Sequence, residues 1–274
     1  MFRPLITLTT DFGTSGSYVG QLKGVLLSLA PELQVVDITH EIAPQDLHGA
    51  ACVLAEAAPR FPAGTIHVVV IDPGVGTERP LVCASCGEAW YLAPDNGVLD
   101  RVLQLFPNAW AVELRETRYW ASEVSCTFHG RDILAPVAAR LAQGLDPRQL
   151  GPPRELAPRL VWAAVQRTAT GGEGVIERVD SFGNLITNIT RPHLAPGVAG
   201  ADVVIRCGSL ADLELVETYG QRSPGDVVAL WGSSGQLEIA VVNGHAQRHL
   251  GLNVGTPVFW RWRRVASGPR NLAE

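Results

Sequence analysis

Three polar segments stand directly behind apolar, strand-like runs or ahead of a helical one, where side chains can act on a bound molecule. The first is Thr10-Asp11-Phe12-Gly13, after Leu5-Ile-Thr-Leu-Thr9. An aspartate at the C-terminal end of a first parallel strand lies where open α/β sheets bind ligands. Its carboxylate can accept two hydrogen bonds from a diol such as a ribose edge; an Asx turn or helix cap would use the same residues. The second is Asp72-Pro-Gly-Val-Gly-Thr-Glu-Arg79, after Thr65-Ile-His-Val-Val-Val-Ile71. Its two glycines let the backbone approach a ligand closely. A fold-back would set Arg79 beside Asp72, either as a structural ion pair or as part of a site. The third is Phe128-His129-Gly130-Arg131-Asp132, ahead of a helical run. At a helix N-terminus the dipole favours a neutral imidazole, which can take a proton from water; a capping histidine is the plainer alternative.

Asp180-Ser-Phe-Gly-Asn184, Gly232-Ser-Ser-Gly235 and Asn243-Gly244 read as turns between strands. The Gly-Ser-Ser-Gly run also offers consecutive backbone N–H groups to a carboxylate. Other candidates carry weaker signals. Cys83-Ala-Ser-Cys86 has metal-site spacing without a second pair, so two ordinary thiols at a strand end is the simpler reading. His245 and His249 stand four apart, without the glutamate of a zinc-protease helix and in surroundings that read as β. Trp260-Arg-Trp-Arg-Arg264 alternates aromatic and positive residues, the pattern of a last strand with one wet face. No phosphate loop, dinucleotide fingerprint or Gly-x-Ser-x-Gly elbow occurs.

The elements that must position these residues change in texture near residue 150. Before it, strand-like runs at 5–9, 34–38 and 65–71 alternate with helical runs at 18–29 and 45–58. Residues 81–85 and 89–93 read as a hairpin, and 96–106 and 131–143 as helices. This predicts an α/β N-terminal domain with a mostly parallel sheet. Short β-rich runs follow at 160–168, 174–180, 185–190, 202–206, 213–217, 226–231, 236–242 and 257–263, which predicts an all-β C-terminal barrel. The expected division is 1–152 for the α/β domain, 153–158 for a proline-rich linker and 159–274 for the barrel.

Composition narrows the function classes. Of 274 residues, 46% are hydrophobic and 18% charged, which excludes a disordered chain. Against 27 acidic side chains stand 22 basic ones, a net charge of −5, so no nucleic-acid partner is expected. No apolar run reaches membrane-spanning length and no signal-peptide pattern occurs, so no membrane partner is expected. An odd count of 5 cysteines fits reduced thiols in the cytoplasm. Lys23 is the only lysine; every other basic residue is arginine.

Taken in order, TTDFG at 9–13, VDITHEI at 36–42, IDPGVGTER at 71–79, APDNG at 93–97, FHGRDILAPVAA at 128–139, DSFGNLITNI at 180–189 and GSSGQLEIAVVNG at 232–244 resemble one family. It is the S-adenosyl-L-methionine (SAM) hydroxide adenosyltransferases, the adenosine-forming SAM hydrolases, which are related to the fluorinases and chlorinases. The resemblance covers nearly the whole chain. It implies the same α/β and β-barrel domains and a homotrimer, with SAM between the N-terminal domain of one subunit and the C-terminal domain of its neighbour. It implies that hydroxide replaces L-methionine at C5′ of SAM to give adenosine, with SAM as substrate, no cofactor and no metal.

On the matching positions, Asp72, Arg79 and His129 form the catalytic set. Asp11 holds the ribose hydroxyls, Asn184 reads the adenine edge, and Phe182 lies close to the base. Asp180 meets the methionine ammonium, and Ser233 with the Ser234 backbone meets its carboxylate. Gly16 stands where many relatives have aspartate. The extra fluorinase loop after the Asp-Asn-Gly segment is missing between Asp95 and Trp120, which together with His129 favours hydroxide over halide. A halogenase forming 5′-chloroadenosine and a SAM- or adenosine-binding protein with little turnover are the alternatives. The leaving group is a neutral thioether, so the chemistry needs no general acid; the site has to orient water and deal with its proton. Arg79 is expected to stabilise developing hydroxide, Asp72 to fix Arg79, and His129 to bind the water and serve as one candidate for its proton. Which of the three takes the proton stays open at this stage.

Overall fold

The computed structural model describes residues 4–194, 203–208, 210 and 212–262, in two compact units, Met1–Leu160 and Val161–Glu274. The first unit holds β1 (Leu5–Thr10), β2 (Gln34–Thr39), β3 (Ile66–Val70), β4 (Leu81–Cys86), β5 (Ala89–Pro94), β6 (Trp110–Glu113) and β7 (Pro153–Arg154). They form one sheet in the order β2-β1-β3-β5-β4-β6-β7. Strands β2, β1, β3 and β5 are parallel, whereas the pairs β5–β4, β4–β6 and β6–β7 are antiparallel. The sheet is therefore mixed, with its parallel part at the early strands. The cause is local: only Gly87 and Glu88 join β4 to β5, enough for a hairpin and far too few for a parallel crossover.

Four helices cover this sheet: α1 (Tyr18–Leu29), α2 (Leu47–Ala57), α3 (Asp100–Leu105) and α4 (Ala135–Ala142). Leu22 and Leu26 of α1 and Val137 and Leu141 of α4 share a core with Ile6, Leu8 and Val68. Ala50 and Leu54 of α2 and Val102 of α3 share another with Val69, Ile71 and Tyr91. Burial on both faces is why β3 is apolar throughout rather than alternating. Helix α1 matches its expected bounds. The helix expected at 96–106 shortens to α3, because Asn96 and Gly97 are used in a turn: Asn96 Oδ1 accepts the Val98 N–H and Gly97 has a φ of 100°. The helix expected at 131–143 opens with a π-helical turn, Gly130–Leu134, before α4.

Cys83 belongs to the first core and Cys86 to the second. Three residues apart on β4, they point to opposite faces, so they neither share a metal nor close a disulfide. Burial pushes both thiols up to about 12. The stretch expected as a linker lies along the first unit. Arg154 and Arg159 meet Asp95 at 2.8 and 2.5 Å, and the N–H groups of Arg159 and Leu160 donate to buried Asp100.

The second unit holds β8 (Gln166–Thr168), β9 (Gly171–Val179), β10 (Leu185–Thr190), β11 (Val203–Cys207), β12 (Leu213–Val216), β13 (Val227–Trp231), β14 (Gln236–Val241) and β15 (Pro257–Trp262). Pairing of β10 with β9 closes the order β10-β14-β13-β12-β11-β15-β9 into a seven-stranded barrel, and β8 adds to β9. Ile176, Leu185, Ile205, Leu237, Ile239 and Trp260 fill it. The β reading around His245–His249 is corrected: Ala246–Leu250 is a short helix, α5, started by the His245 side chain, which accepts the Arg248 N–H. Arg261 points outward and pairs with Asp212. Arg263 and Arg264, and the outer ends of the strands expected at 202–206 and 257–263, lie outside the described residues. Among the described residues no helix is long and apolar enough to cross a membrane.

His67 gives the first unit an acid-sensitive point. Its ring is fully buried in β3, stacked 4.7 Å from Tyr91, with Nδ1 2.7 Å from Thr7 Oγ1. Burial pulls its pKa down to about 4 from 6.5. The unfolded chain takes up the proton near 6.5 and the folded chain only near 4, so stability is full above this window and falls as pH drops through it. Urea unfolding should show about 2 kcal/mol less stability at about pH 5 than at about pH 7 from this residue, and His67→Gln should remove that slope.

Candidate active site

Strands β1 and β3 lie side by side in register, Thr10 opposite Val70. Asp11 and Asp72, just beyond, therefore leave the same carboxyl edge of the sheet, the edge where parallel α/β sheets carry their sites. The loop 72–79 is held from several directions. Asn96 Nδ2 donates to the Ile71 carbonyl at 2.9 Å, and Thr77 Oγ1 to the Gly74 carbonyl at 2.6 Å. Gly76, with φ of 80°, lies so close to the Cys126 carbonyl that a Cβ would collide with it. Gly130 packs on Val70, whose Cγ1 would stand 2.8 Å from a Cβ there. These two close approaches bring the segment 126–130, and with it His129, onto the end of β3.

There Asp72, Arg79 and His129 meet. Arg79 Nε donates to both carboxylate oxygens of Asp72, at 2.8 and 2.9 Å, and its Nη2 also bonds Oδ2. The same Nη2 contacts His129 Nδ1 at 2.9 Å. The Asp72 and Arg79 side chains are only 8% and 12% exposed. A guanidinium can only donate, so His129 Nδ1 is the acceptor and the proton of the neutral ring sits on Nε2. Burial first, then the Arg79 charge, hold His129 below its ordinary value, against the opposite pull of Asp72 and Asp132. The sequence pointed to the same direction through a helix dipole; the cause here is desolvation and a neighbouring cation. Arg79 and His129 line a cleft of about 360 Å³ with Leu81, Leu114, Trp120 and Ile133.

Asp11 makes its own contact: Oδ2 accepts the Gln45 N–H at 2.8 Å. Gln45 has a φ of 64°, a conformation that costs energy for a residue with a side chain and that collects at functional sites. The motif reading missed Gln45; its only signal was the Pro44-Gln45-Asp46 stretch ahead of α2. Gly16 is exposed, and a Cβ there would meet nothing nearer than the Tyr18 ring at 3.6 Å.

In the second unit, Asp180 Oδ1 accepts the N–H groups of Phe182 and Asn184 at 2.9 and 2.8 Å, and Oδ2 accepts Asn184 Nδ2 at 3.0 Å. This turn buries Asn184 and leaves Phe182 76% exposed. Ser233 and Ser234 are exposed in their turn. Behind them sits a residue the sequence did not single out: Glu238, buried on β14, bonded to the Tyr219 hydroxyl and packed against Gly232. Burial raises its pKa, and Asp180 raises it further.

An α/β unit with a carboxylate–guanidinium–imidazole clamp at its sheet edge, followed by a closed β-barrel, defines a recognisable class of two-domain protein. The SAM hydroxide adenosyltransferase N-terminal domain profile matches residues 6–151, and the C-terminal domain profile matches 174–259. The chain belongs to this family. It is 41% identical to a Thermus thermophilus (R)-S-adenosyl-L-methionine hydrolase, covering 93% of this chain and 98% of the relative. It is 31% identical to an Actinoplanes fluorinase, covering 86% and 90%. A crystal structure of an uncharacterized conserved protein from Thermotoga maritima superposes with a TM-score of 0.87 at 34% identity, covering 94% and 99% of the two chains.

The clamp makes a prediction about His129. In an NMR titration its ring should gain its proton below pH 6.5, and Arg79→Ala should move that titration upward. An unchanged titration in the variant would remove Arg79 as a cause.

Proposed function

We propose that this chain hydrolyses SAM to adenosine and L-methionine by attack of a water-derived oxygen at C5′. The observation that carries the reading is the clamp of Asp72, Arg79 and His129. Both oxygens of Asp72 are engaged by Arg79, and so is the one lone pair of the neutral His129 ring. Neither group is a free base. What the set offers an incoming water is donors: the His129 Nε2–H and the N–H groups that Arg79 does not spend on Asp72. Donors aimed at an oxygen stabilise negative charge on it, so the site favours hydroxide over neutral water.

In this proposal His129 binds the water as a hydrogen-bond donor, and none of the three candidates takes its proton. The water proton goes to solvent as hydroxide is captured. A lone pair of that hydroxide forms the O–C5′ bond, and the C5′–S pair passes to sulfur, which leaves as the neutral thioether of methionine. Opposite charges disappear in the step, which a site poor in water favours. No group has to protonate the leaving atom, so the reading includes no metal and no cofactor.

Substrate contacts follow the family positions. Asp11 takes the ribose hydroxyls, Asn184 the adenine edge and Phe182 a face of the base, for which its exposed ring is suited. Asp180 takes the ammonium, and Ser233 with the Ser234 N–H takes the carboxylate. The homotrimer, with each site completed by a neighbour's C-terminal domain, and a cytoplasmic location belong to the same proposal. So does the configuration at sulfur: the hydrolase relatives are named for the R epimer. Inverting sulfur exchanges the methyl and amino-acid arms, so with C5′ held in place the two epimers send the amino-acid arm in different directions.

Chromatography of protein incubated with each SAM epimer tests this. Adenosine should form, faster from the R epimer, and Arg79→Ala and His129→Ala should each lower kcat/KM by about 100-fold or more. Chloroadenosine in place of adenosine when chloride is present would favour the halogenase. Adenosine retained at one per site without turnover would favour the binding protein.

A further inference from the structure

The only lysine of the chain is used by no step above. Lys23 projects from α1, its Nζ 2.6 Å from Asp37 Oδ2 on β2. The other oxygen, Asp37 Oδ1, stands 3.1 Å from His40 Nε2, an ion-pair contact without the alignment of a hydrogen bond. His40 is buried, with Nδ1 2.9 Å from the Oγ1 of buried Thr10. Thr10 Oγ1 accepts the Phe12 N–H at 3.3 Å, and the His40 carbonyl accepts the Gly13 N–H at 2.8 Å. The contacts run from Lys23 to the residues on both sides of Asp11. Asp37 and His40, three apart, would face opposite ways on a regular strand. They meet because the register of β1 on β2 shifts between Leu8 and Thr9, from Asp37 to Thr39.

We propose that Lys23 is a positioning residue for the Asp11 turn, and that lysine is required there because it occupies only one oxygen of Asp37. This rests on the reading of Asp11 as the ribose-binding residue. An ammonium is a compact charge satisfied by one carboxylate oxygen, whereas a guanidinium is a planar fork that takes two. The same protein shows the fork at work, since Arg79 Nε reaches both oxygens of Asp72. An arginine at position 23 would compete with His40 for Asp37 Oδ1, and by shifting His40 and Thr10 would loosen the turn that carries Asp11. Lys23 and Asp37 are 33% and 37% exposed, and such a surface pair adds little to stability, so its use is geometric.

The test compares Lys23→Arg with Lys23→Met, using SAM and its 2′-deoxyribose analogue as substrates. Lys23→Arg should raise KM for SAM by about fivefold, the loss of one modest hydrogen bond, with kcat and Tm nearly unchanged. Lys23→Met leaves Asp37 with His40, so its KM should rise less. The preference for SAM over the 2′-deoxy analogue should fall in Lys23→Arg, a change that general loosening of the fold would not produce. Wild-type KM and preference in Lys23→Arg would overturn the proposal, as would a larger defect in Lys23→Met, which would make charge the requirement. A wild-type enzyme indifferent to the 2′-hydroxyl would instead sink the Asp11 reading, while the order of the KM values would still report on the relay.

Discussion

One guanidinium, that of Arg79, holds two partners at once, and the order of the site depends on that double grip. Asp72 alone would be a carboxylate at a sheet edge, and His129 alone a loop histidine at the start of a helix. Tied through Arg79, the three form one hydrogen-bonded group. The clamp is poorly explained as a source of stability, because taking a carboxylate and a guanidinium out of water costs roughly what their attraction returns. Its value is in direction: it turns the imidazole so that an N–H faces away from Arg79, and it occupies the groups that would otherwise serve as bases.

The rest of the first unit can be understood as support for that grip. Parallel strands β1 and β3 end together, so the residues after them start from one edge. The glycines at 76 and 130 let loop and helix approach closer than any side chain permits. Asn96 fixes the carbonyl just before Asp72, which gives the Asp-Asn-Gly segment a structural reason beyond its turn. The second unit solves a different problem. Asp180 spends its carboxylate on a turn that buries Asn184 and pushes Phe182 outward, so one short segment holds a buried amide and an exposed aromatic ring.

The sequence was most legible where periodicity is long and two-sided. Helix α1 and strand β3 carry apolar residues at spacings that no other element would bury, and the closed barrel followed from regular strand and turn spacing. It was least legible where a few side chains decide. The short β6 and the five-residue α5 bury too little to leave a pattern, and α5 starts on a histidine cap inside a β-rich stretch. The three members of the clamp could be picked out from their segments, but the tautomer of His129 could not, because it depends on which nitrogen meets Arg79. Gln45 and Glu238 were missed for a related reason: one matters through its backbone angle, the other through burial, and neither is written in residue type.

In the proposed reaction a water oxygen attacks C5′ directly, with Asp72 as the anchor of Arg79 and not as a nucleophile. A single turnover in ¹⁸O-labelled water, with enzyme in excess over SAM, tests it most directly. Label is expected in the 5′-hydroxyl of adenosine from the first turnover, and none in Asp72. Unlabelled adenosine in that turnover, with ¹⁸O appearing in the Asp72 carboxylate, would mean that Asp72 forms a covalent intermediate at C5′, and would contradict the clamp as described.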